Sequence, residues 1–199
     1  MNSYRSDSRA YLSMFRAMGI AWGMPELERH YSPNWHHVYR AAKLPRAMWD
    51  KADRLWHEAY AKESPALLAG ARNVIRRLAP RFTLGIVTSG TRWRVCEQLR
   101  DFNLTVHFSA CVCAEDAGRR KPHPAPLNLA LRRLKLSPEE CVYVGDSPED
   151  IEMARRARVR AIGVCGPFPP AARVLDARPD LMLYSIAELP DWIEELPNN

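Results

Sequence analysis

The sequence predicts an α/β protein: a parallel sheet with helices on its faces, preceded by a small all-helical unit. Three observations carry this. From about residue 66, short apolar runs alternate with amphipathic stretches, the pattern of β–α units in a parallel sheet. Residues 4–64 show helical spacing only. The run Cys141-Val142-Tyr143-Val144 ends in Gly145-Asp146 and is followed at once by a capped helix, so a carboxylate stands at the carboxyl edge of a strand. Open α/β sheets hold their ligands at that edge.

In order along the chain, Tyr11, Leu12, Phe15 and Met18 form one helical face, with Gly19 as a stop. A polar stretch with Pro33 breaks the pattern. Trp35, Val38 and Tyr39 then recur at helical spacing, as do Trp49, Ala52, Leu55, Trp56 and Ala59. The boundary is expected at Ser64-Pro65, giving a helical unit over residues 1–65 and an α/β core over 66–199. The core opens with a helix carrying Val74, Ile75 and Leu78, closed by Pro80. A strand over Phe82–Thr88 and a helix over 91–101 follow, then a strand over Ser109–Cys113 and a helix over 125–135 bearing Leu127, Ala130, Leu131 and Leu134. After the Asp146 strand, Ser147 caps a helix, Pro148 takes its first position and Asp150 the capping-box position. Strands over Arg160–Cys165 and Leu181–Tyr184 and a helix over Ile186–Glu195 complete the core, and Leu196-Pro197-Asn198-Asn199 is expected to fray.

Composition narrows the function classes. With 199 residues and 47% hydrophobic content, the chain can bury a sizeable core. No run approaches the ~18 apolar residues of a membrane span. The first residues lack the apolar segment of a secretory signal. Five cysteines, an odd number without C-x-x-C spacing, read as reduced thiols rather than disulfides or a metal site, and a cytoplasmic location is expected. Cys111 and Cys113 lie on one face of a strand. The net charge of +6 collects at Arg76-Arg77, Arg132-Arg133 and Arg155-Arg156-Arg158-Arg160. Solvated helix faces explain these clusters. No nucleic-acid-binding motif accompanies them, so nucleic acid is not the expected partner.

Three places carry chemistry. At Ile86-Val87-Thr88-Ser89-Gly90-Thr91 a strand ends in hydroxyl residues and a glycine, and a helix starts. Helix-start N–H groups and the Ser89 hydroxyl suit a phosphate oxygen; an ordinary capped turn is the bland alternative. At Arg119-Arg120-Lys121-Pro122-His123-Pro124, Pro122 is expected to hold Lys121 on an extended arm before a helix. A fixed ammonium there can neutralise a phosphoryl group. At Gly145-Asp146-Ser147, Asp146 suits a hard cation such as Mg²⁺, with Asp150 one turn on as an indirect or water-mediated partner.

Hydroxyl corner, Lys-Pro, then Gly-Asp-Ser-x-x-Asp, in this order, resembles the haloacid dehalogenase superfamily, and within it the branch similar to phosphoglycolate phosphatases. The resemblance covers residues 66–190, and the helical residues 4–64 resemble the cap that this branch inserts after its first strand. It implies a Rossmann-like three-layer core and a Mg²⁺-dependent phosphomonoesterase acting through an aspartyl-phosphate intermediate on a small phosphorylated metabolite such as phosphoglycolate. It further implies that Thr88, Ser89, Gly90 and Lys121 bind phosphate, that Ser89 and Lys121 serve catalysis, and that Asp146 and Asp150 serve the metal.

One motif of the resemblance is missing. The family's first strand ends Asp-x-Asp-Gly-Thr and supplies the nucleophile. No such sequence occurs here, so the nucleophile is unknown and the chain is expected to be inactive or impaired as it stands. Asp7 is not promoted to the role, since no apolar strand precedes it. Met1-Asn2-Ser3 resembles the residues immediately after that motif, and the natural protein is expected to begin upstream. The resemblance puts the lost strand between the Thr88 and Asp146 strands. Its loss leaves two edges open to direct pairing, to another segment or to self-association. The alternative to an enzyme is a non-catalytic module binding phosphate or Mg²⁺. Trp35, His36, His37, Tyr39, Trp49, Trp56 and His57 read mainly as the helical unit's own core, and adjacent His36 and His37 point apart on a helix.

Overall fold

The computed structural model describes residues 3–32, 34–166 and 171–195. The readings placed on Pro33 and on residues 196–199 lie outside them. The chain divides into two compact units, one formed by Met1–Leu68 and one containing Ala69–Gly166 together with the C-terminal segment.

The first unit is helical: α1 (Tyr4–Ala17), α2 (Met24–His30), α3 (Trp35–Ala41) and α4 (Trp49–Tyr60). α1 packs mainly on α4. Tyr11, Met14, Phe15, Leu27, Val38, Tyr39 and Ala52 form the core, and Trp35, Trp49 and Trp56 pack against it half-buried. The Tyr39 hydroxyl donates to Asp53 at 2.7 Å, which gives its buried polar tip a partner. The His36 ring stacks on Trp49 with centroids 4.5 Å apart. These aromatic rings thus build this unit's own interior. Asp7 is buried within α1 and lies on no strand.

The second unit is α/β. Its elements are α5 (Ala71–Leu78), β1 (Gly85–Val87), α6 (Arg92–Asp101), β2 (Ala110–Val112), α7 (Ala125–Leu134), β3 (Val142–Gly145), α8 (Pro148–Arg156), β4 (Arg160–Val164), α9 (Ala171–Asp176), β5 (Leu181–Leu183) and α10 (Leu189–Glu194). Pairing is parallel throughout: Ile86 opposes Cys111, Val144 opposes Ile162, and Gly163 opposes Met182. β4 shows why two helical layers form. Ala161 packs with Leu127, Leu131, Ile151, Met153 and Val174 from α7, α8 and α9. Ile162 and Val164 pack with Val74, Leu78 and Leu189 from α5 and α10. A strand whose alternate residues are both apolar must be covered on both faces.

The strands form two ladders, β1-β2 and β3-β4-β5. Among the described residues no ladder joins β1 to β3, and no segment pairs between them. Of the outcomes open to these two edges, direct pairing is therefore not the one adopted. β1 is shorter than the expected Phe82–Thr88, because it has one partner and pairs with it only from Gly85 to Val87. The final helix also differs. Ser185 accepts a hydrogen bond from the Ala187 N–H and opens a 3-10 turn over Ile186–Glu188, and α10 starts only at Leu189.

The five cysteines are free. The sulfurs of Cys111 and Cys113 lie 3.5 Å apart. Burial pushes the Cys113 thiol up to about 12 and raises the Cys111 thiol as well. Both are therefore protonated at neutral pH, which disfavours nucleophilic or metal-ligand roles. Among the described residues, no helix is long and apolar enough to cross a membrane.

Candidate phosphate-binding site

Lys121 was expected on an extended arm. It sits instead in a turn closed by the His123 N–H donating to the Arg120 carbonyl at 2.9 Å, with a cis Lys121–Pro122 peptide. A proline in the third position of a turn permits that geometry. The Lys121 side chain is almost fully buried. Its Nζ donates to Asp150 Oδ1 at 2.7 Å, to the Tyr143 hydroxyl at 2.8 Å and to the Val87 carbonyl at 3.0 Å.

Those three partners account for the three protons of the ammonium. Burial alone would lower the Lys121 pKa, but the Asp150 charge outweighs it and holds the ammonium well above the ordinary lysine value. Burial likewise works to raise Asp150, and Lys121 overrides it, holding that carboxyl below its usual range. The two form a charged pair in which each is present because of the other.

Asp150 is held from all sides. Its Oδ1 also accepts from the Tyr143 hydroxyl at 2.9 Å, and its Oδ2 accepts from Ser147 Oγ at 2.8 Å. Ser147 in turn accepts the Asp150 N–H at 3.2 Å as the N-cap of α8. Gly145 makes the approach possible, for a Cβ there would collide with the Asp150 Cβ. With both oxygens engaged, Asp150 fits as a group behind the site rather than as a direct metal ligand.

Asp146 differs. It is half-buried at the end of β3, and among the described residues its carboxylate bonds only its own backbone N–H. Burial and the neighbouring Asp150 charge both raise its pKa. Gly166 lies against it: a Cβ there would meet Asp146 Oδ2 at 2.9 Å. A carboxylate with little protein competition fits a cation such as Mg²⁺, which keeps several waters and shares ligands with a phosphate. No cluster of three His, Cys, Asp or Glu side chains that could hold a metal occurs among the described residues.

The hydroxyl corner follows β1. Thr88 Oγ1 accepts the Gly90 N–H at 3.0 Å, and the Gly90 carbonyl accepts the Ala114 N–H at 3.0 Å. The Arg92 N–H at the start of α6 is taken by the Glu115 carboxylate, 3.1 Å to each oxygen. The helix start is thus already occupied by an anion, against the expectation of open N–H groups there. Ser89 is half-buried, and its hydroxyl has no hydrogen-bond partner among the described residues. The Thr91 hydroxyl is enclosed and likewise unpartnered among them. Hydroxyls, rather than a bare helix end, are what this corner offers a phosphate oxygen.

Tyr143 went unread in the sequence. Its hydroxyl accepts from Lys121 and has its single proton within reach of Asp150 Oδ1 and, at 3.2 Å, the Val87 carbonyl. Burial and the Asp150 charge raise its pKa, so it stays a neutral donor. The available signal was a tyrosine in an apolar strand next to Gly-Asp, whose polar tip needs a buried partner. Val87 bonds through its carbonyl on the side of β1 away from β2, so Lys121 and Tyr143 fasten the two ladders through side chains where no strand does.

The sequence pattern of haloacid dehalogenase-like hydrolases matches residues 9–164. A pyrophosphatase PpaX from Bacillus pumilus is 36% identical over 108 residues, 54% of this chain and 50% of that protein. A phosphoglycolate phosphatase from Salmonella paratyphi A is 30% identical over 138 residues, 69% of this chain and 54% of that one. The chain thus spans about half the length of these relatives. A solved structure described as a predicted phosphatase, from Clostridium acetobutylicum, superposes with a TM-score of 0.86 at 17% identity, covering 98% of this chain and 93% of that one.

Proposed function

The chain belongs to the haloacid dehalogenase-like hydrolases, and from that premise we propose a Mg²⁺-dependent phosphomonoesterase acting on a small phosphorylated metabolite such as phosphoglycolate. The observation that carries the reading is the convergence of Lys121 and Tyr143 on the Val87 carbonyl, with Asp150 accepting from both, immediately before the Thr88–Gly90 corner and within range of the Asp146 charge. The names of the phosphatase and pyrophosphatase relatives support the substrate class.

In this reading Ser89 donates its hydroxyl to a phosphate oxygen and Thr88 and Gly90 shape the turn that presents it. Lys121 supplies positive charge next to the phosphoryl group, fixed in place by Asp150 and Tyr143. Asp146 holds the cation, and Asp150 stands behind it. Bound Mg²⁺ would screen the phosphate's charge against the two carboxylates. Phosphoryl transfer also requires a carboxylate in line with phosphorus. Asp7 is buried within a helix of the other unit and is no candidate for that task. We assign the nucleophile to an extended segment pairing in the seam between β1 and β3.

The test compares two proteins. One is the 199-residue chain; the other carries the in-frame residues encoded upstream of Met1. The extended protein is expected to hydrolyse phosphoglycolate or an aryl phosphate in a Mg²⁺- and Asp146-dependent manner. The shorter chain should be slower by several orders of magnitude. An upstream stop codon with no acidic strand before it sinks the assignment.

A second reading is a non-catalytic module that binds phosphate or Mg²⁺. The side-chain fastening of the seam favours it, since Lys121 is fully bonded without any added strand. Hydrolysis by the 199-residue chain that Asp146→Asn abolishes would exclude this reading.

A further inference from the structure

The Ser89 hydroxyl has no hydrogen-bond partner among the described residues, so its position depends on how the backbone of the corner is held. β1 is only three residues long and, among the described residues, bonds a neighbouring strand on one side. Such a strand end fixes a following turn poorly unless something beyond the turn is anchored too.

That anchor is Asp116, in the turn after β2. Its carboxylate oxygens accept from Arg92 Nη2 at 2.5 and 2.6 Å, at the first residue of α6. Oδ2 also accepts the Cys113 N–H at 2.7 Å, at the end of β2. Oδ1 accepts from Arg133 Nη2 at 3.3 Å, and Arg133 Nη1 donates to the Cys111 carbonyl at 2.7 Å. One carboxylate therefore ties β2, α6 and α7 together. The neighbouring residues of the same turn add the Ala114 N–H donating to the Gly90 carbonyl and the Glu115 carboxylate accepting the Arg92 N–H. The Asp116 side chain is only 13% exposed while the Arg92 guanidinium reaches it from a half-exposed position, so what marks this carboxylate is its donors from three residues rather than a single surface ion pair.

We infer that Asp116 is a positioning residue for the phosphate corner, clamping the start of α6 to the end of β2 so that Ser89 stands where a phosphate oxygen needs it. The inference rests on the proposed reading of Ser89. Asp116 touches no phosphate itself and acts through the backbone between Gly90 and Arg92. The Arg92 guanidinium is the other half of the clamp.

The experiment measures inorganic phosphate binding to the 199-residue chain with Mg²⁺ by calorimetry, alongside thermal unfolding. The proteins are the parent, Ser89→Ala, Asp116→Asn, Asp116→Asn with Ser89→Ala, and Arg92→Met, which keeps the clamp testable if Asp116→Asn fails to fold. Asp116→Asn and Arg92→Met are each expected to weaken phosphate about tenfold, the scale of losing one hydrogen bond to a charged group. Ser89→Ala should then add about twofold or less in the Asp116→Asn background, because both changes remove one interaction. If Ser89→Ala weakens binding while Asp116→Asn and Arg92→Met lower only the unfolding temperature, the positioning role is overturned and the site stands. If the two effects multiply independently, the role is likewise overturned. If the parent binds no phosphate, or Ser89→Ala changes nothing, the site reading falls and takes the clamp with it.

Discussion

Lys121 Nζ and Asp150 Oδ1 lie 2.7 Å apart with both side chains more than nine-tenths buried, so the ammonium expected to face a phosphate is already an ion pair. Its free charge is therefore less than the sequence suggests. A ligand gains from it by joining an existing network rather than by neutralising a lone cation.

This pair sets the first prediction. Lys121→Met leaves Asp150 buried without its counter-ion, and a loss of about 3–5 kcal/mol in unfolding free energy is expected. Adding Asp150→Leu should cost less than the sum of the two single changes, since no orphaned charge remains. Urea unfolding of the three variants decides. A Lys121→Met protein within about 1 kcal/mol of the parent, the value of a surface pair, contradicts the buried pair.

The second concerns Gly145. Its Cα faces the Asp150 side chain so closely that an added Cβ would also lie 2.7 Å from Asp150 Cγ. Gly145→Ala must displace the first turn of α8, at a cost of about 1–3 kcal/mol from overpacking. Phosphate affinity should fall with it. An alanine variant of unchanged stability and affinity would show that the turn has room.

Acid titration supplies the third. Burial works to raise the Asp116 pKa, but the Cys113 N–H and the Arg92 and Arg133 guanidinium groups outweigh it and lower the pKa. A carboxyl with a depressed folded pKa contributes stability above its unfolded value, near pH 4, and loses it as pH falls through the folded one. The stability gap between the parent and Asp116→Asn should thus be widest above about pH 4 and narrow below it. A gap that widens in acid reverses the sign and rejects the assignment.

The fourth concerns the seam. β1 and β3 each present one edge without a ladder partner among the described residues. Open edges pair with other chains. The 199-residue chain should associate with rising concentration in light scattering, and the upstream-extended protein should do so less. A monodisperse monomer at all concentrations argues that the side-chain fastening is sufficient cover.

Much of this was readable from local rules. The start of α8 was legible because Ser147, Pro148 and Asp150 each have a preferred helix position, and the apolar run before Gly145 set the strand. Asp146 followed from those two. The depth of Lys121 was not legible. Its partners come from positions 87, 143 and 150, and spacing along the chain says nothing of which side chains fill the space between two ladders. The same limit hid Tyr143, which periodicity assigns to a strand face without showing what its hydroxyl meets. The Glu115 and Asp116 carboxylates carry no local signal of their roles, since their partners Arg92 and Arg133 lie 23, 24 and 17 positions away. The family likeness implies a further strand between those of Thr88 and Asp146, and among the described residues no ladder joins β1 to β3.

Ser147 has one consequence beyond capping. The oxygen that receives the first turn's N–H also donates to the carboxylate that balances Lys121. Winding the helix and electrically completing the pocket are accordingly a single cooperative event. Fraying at Pro148–Asp150 would switch off the ammonium's counterbalance in the same instant that it loosened the backbone.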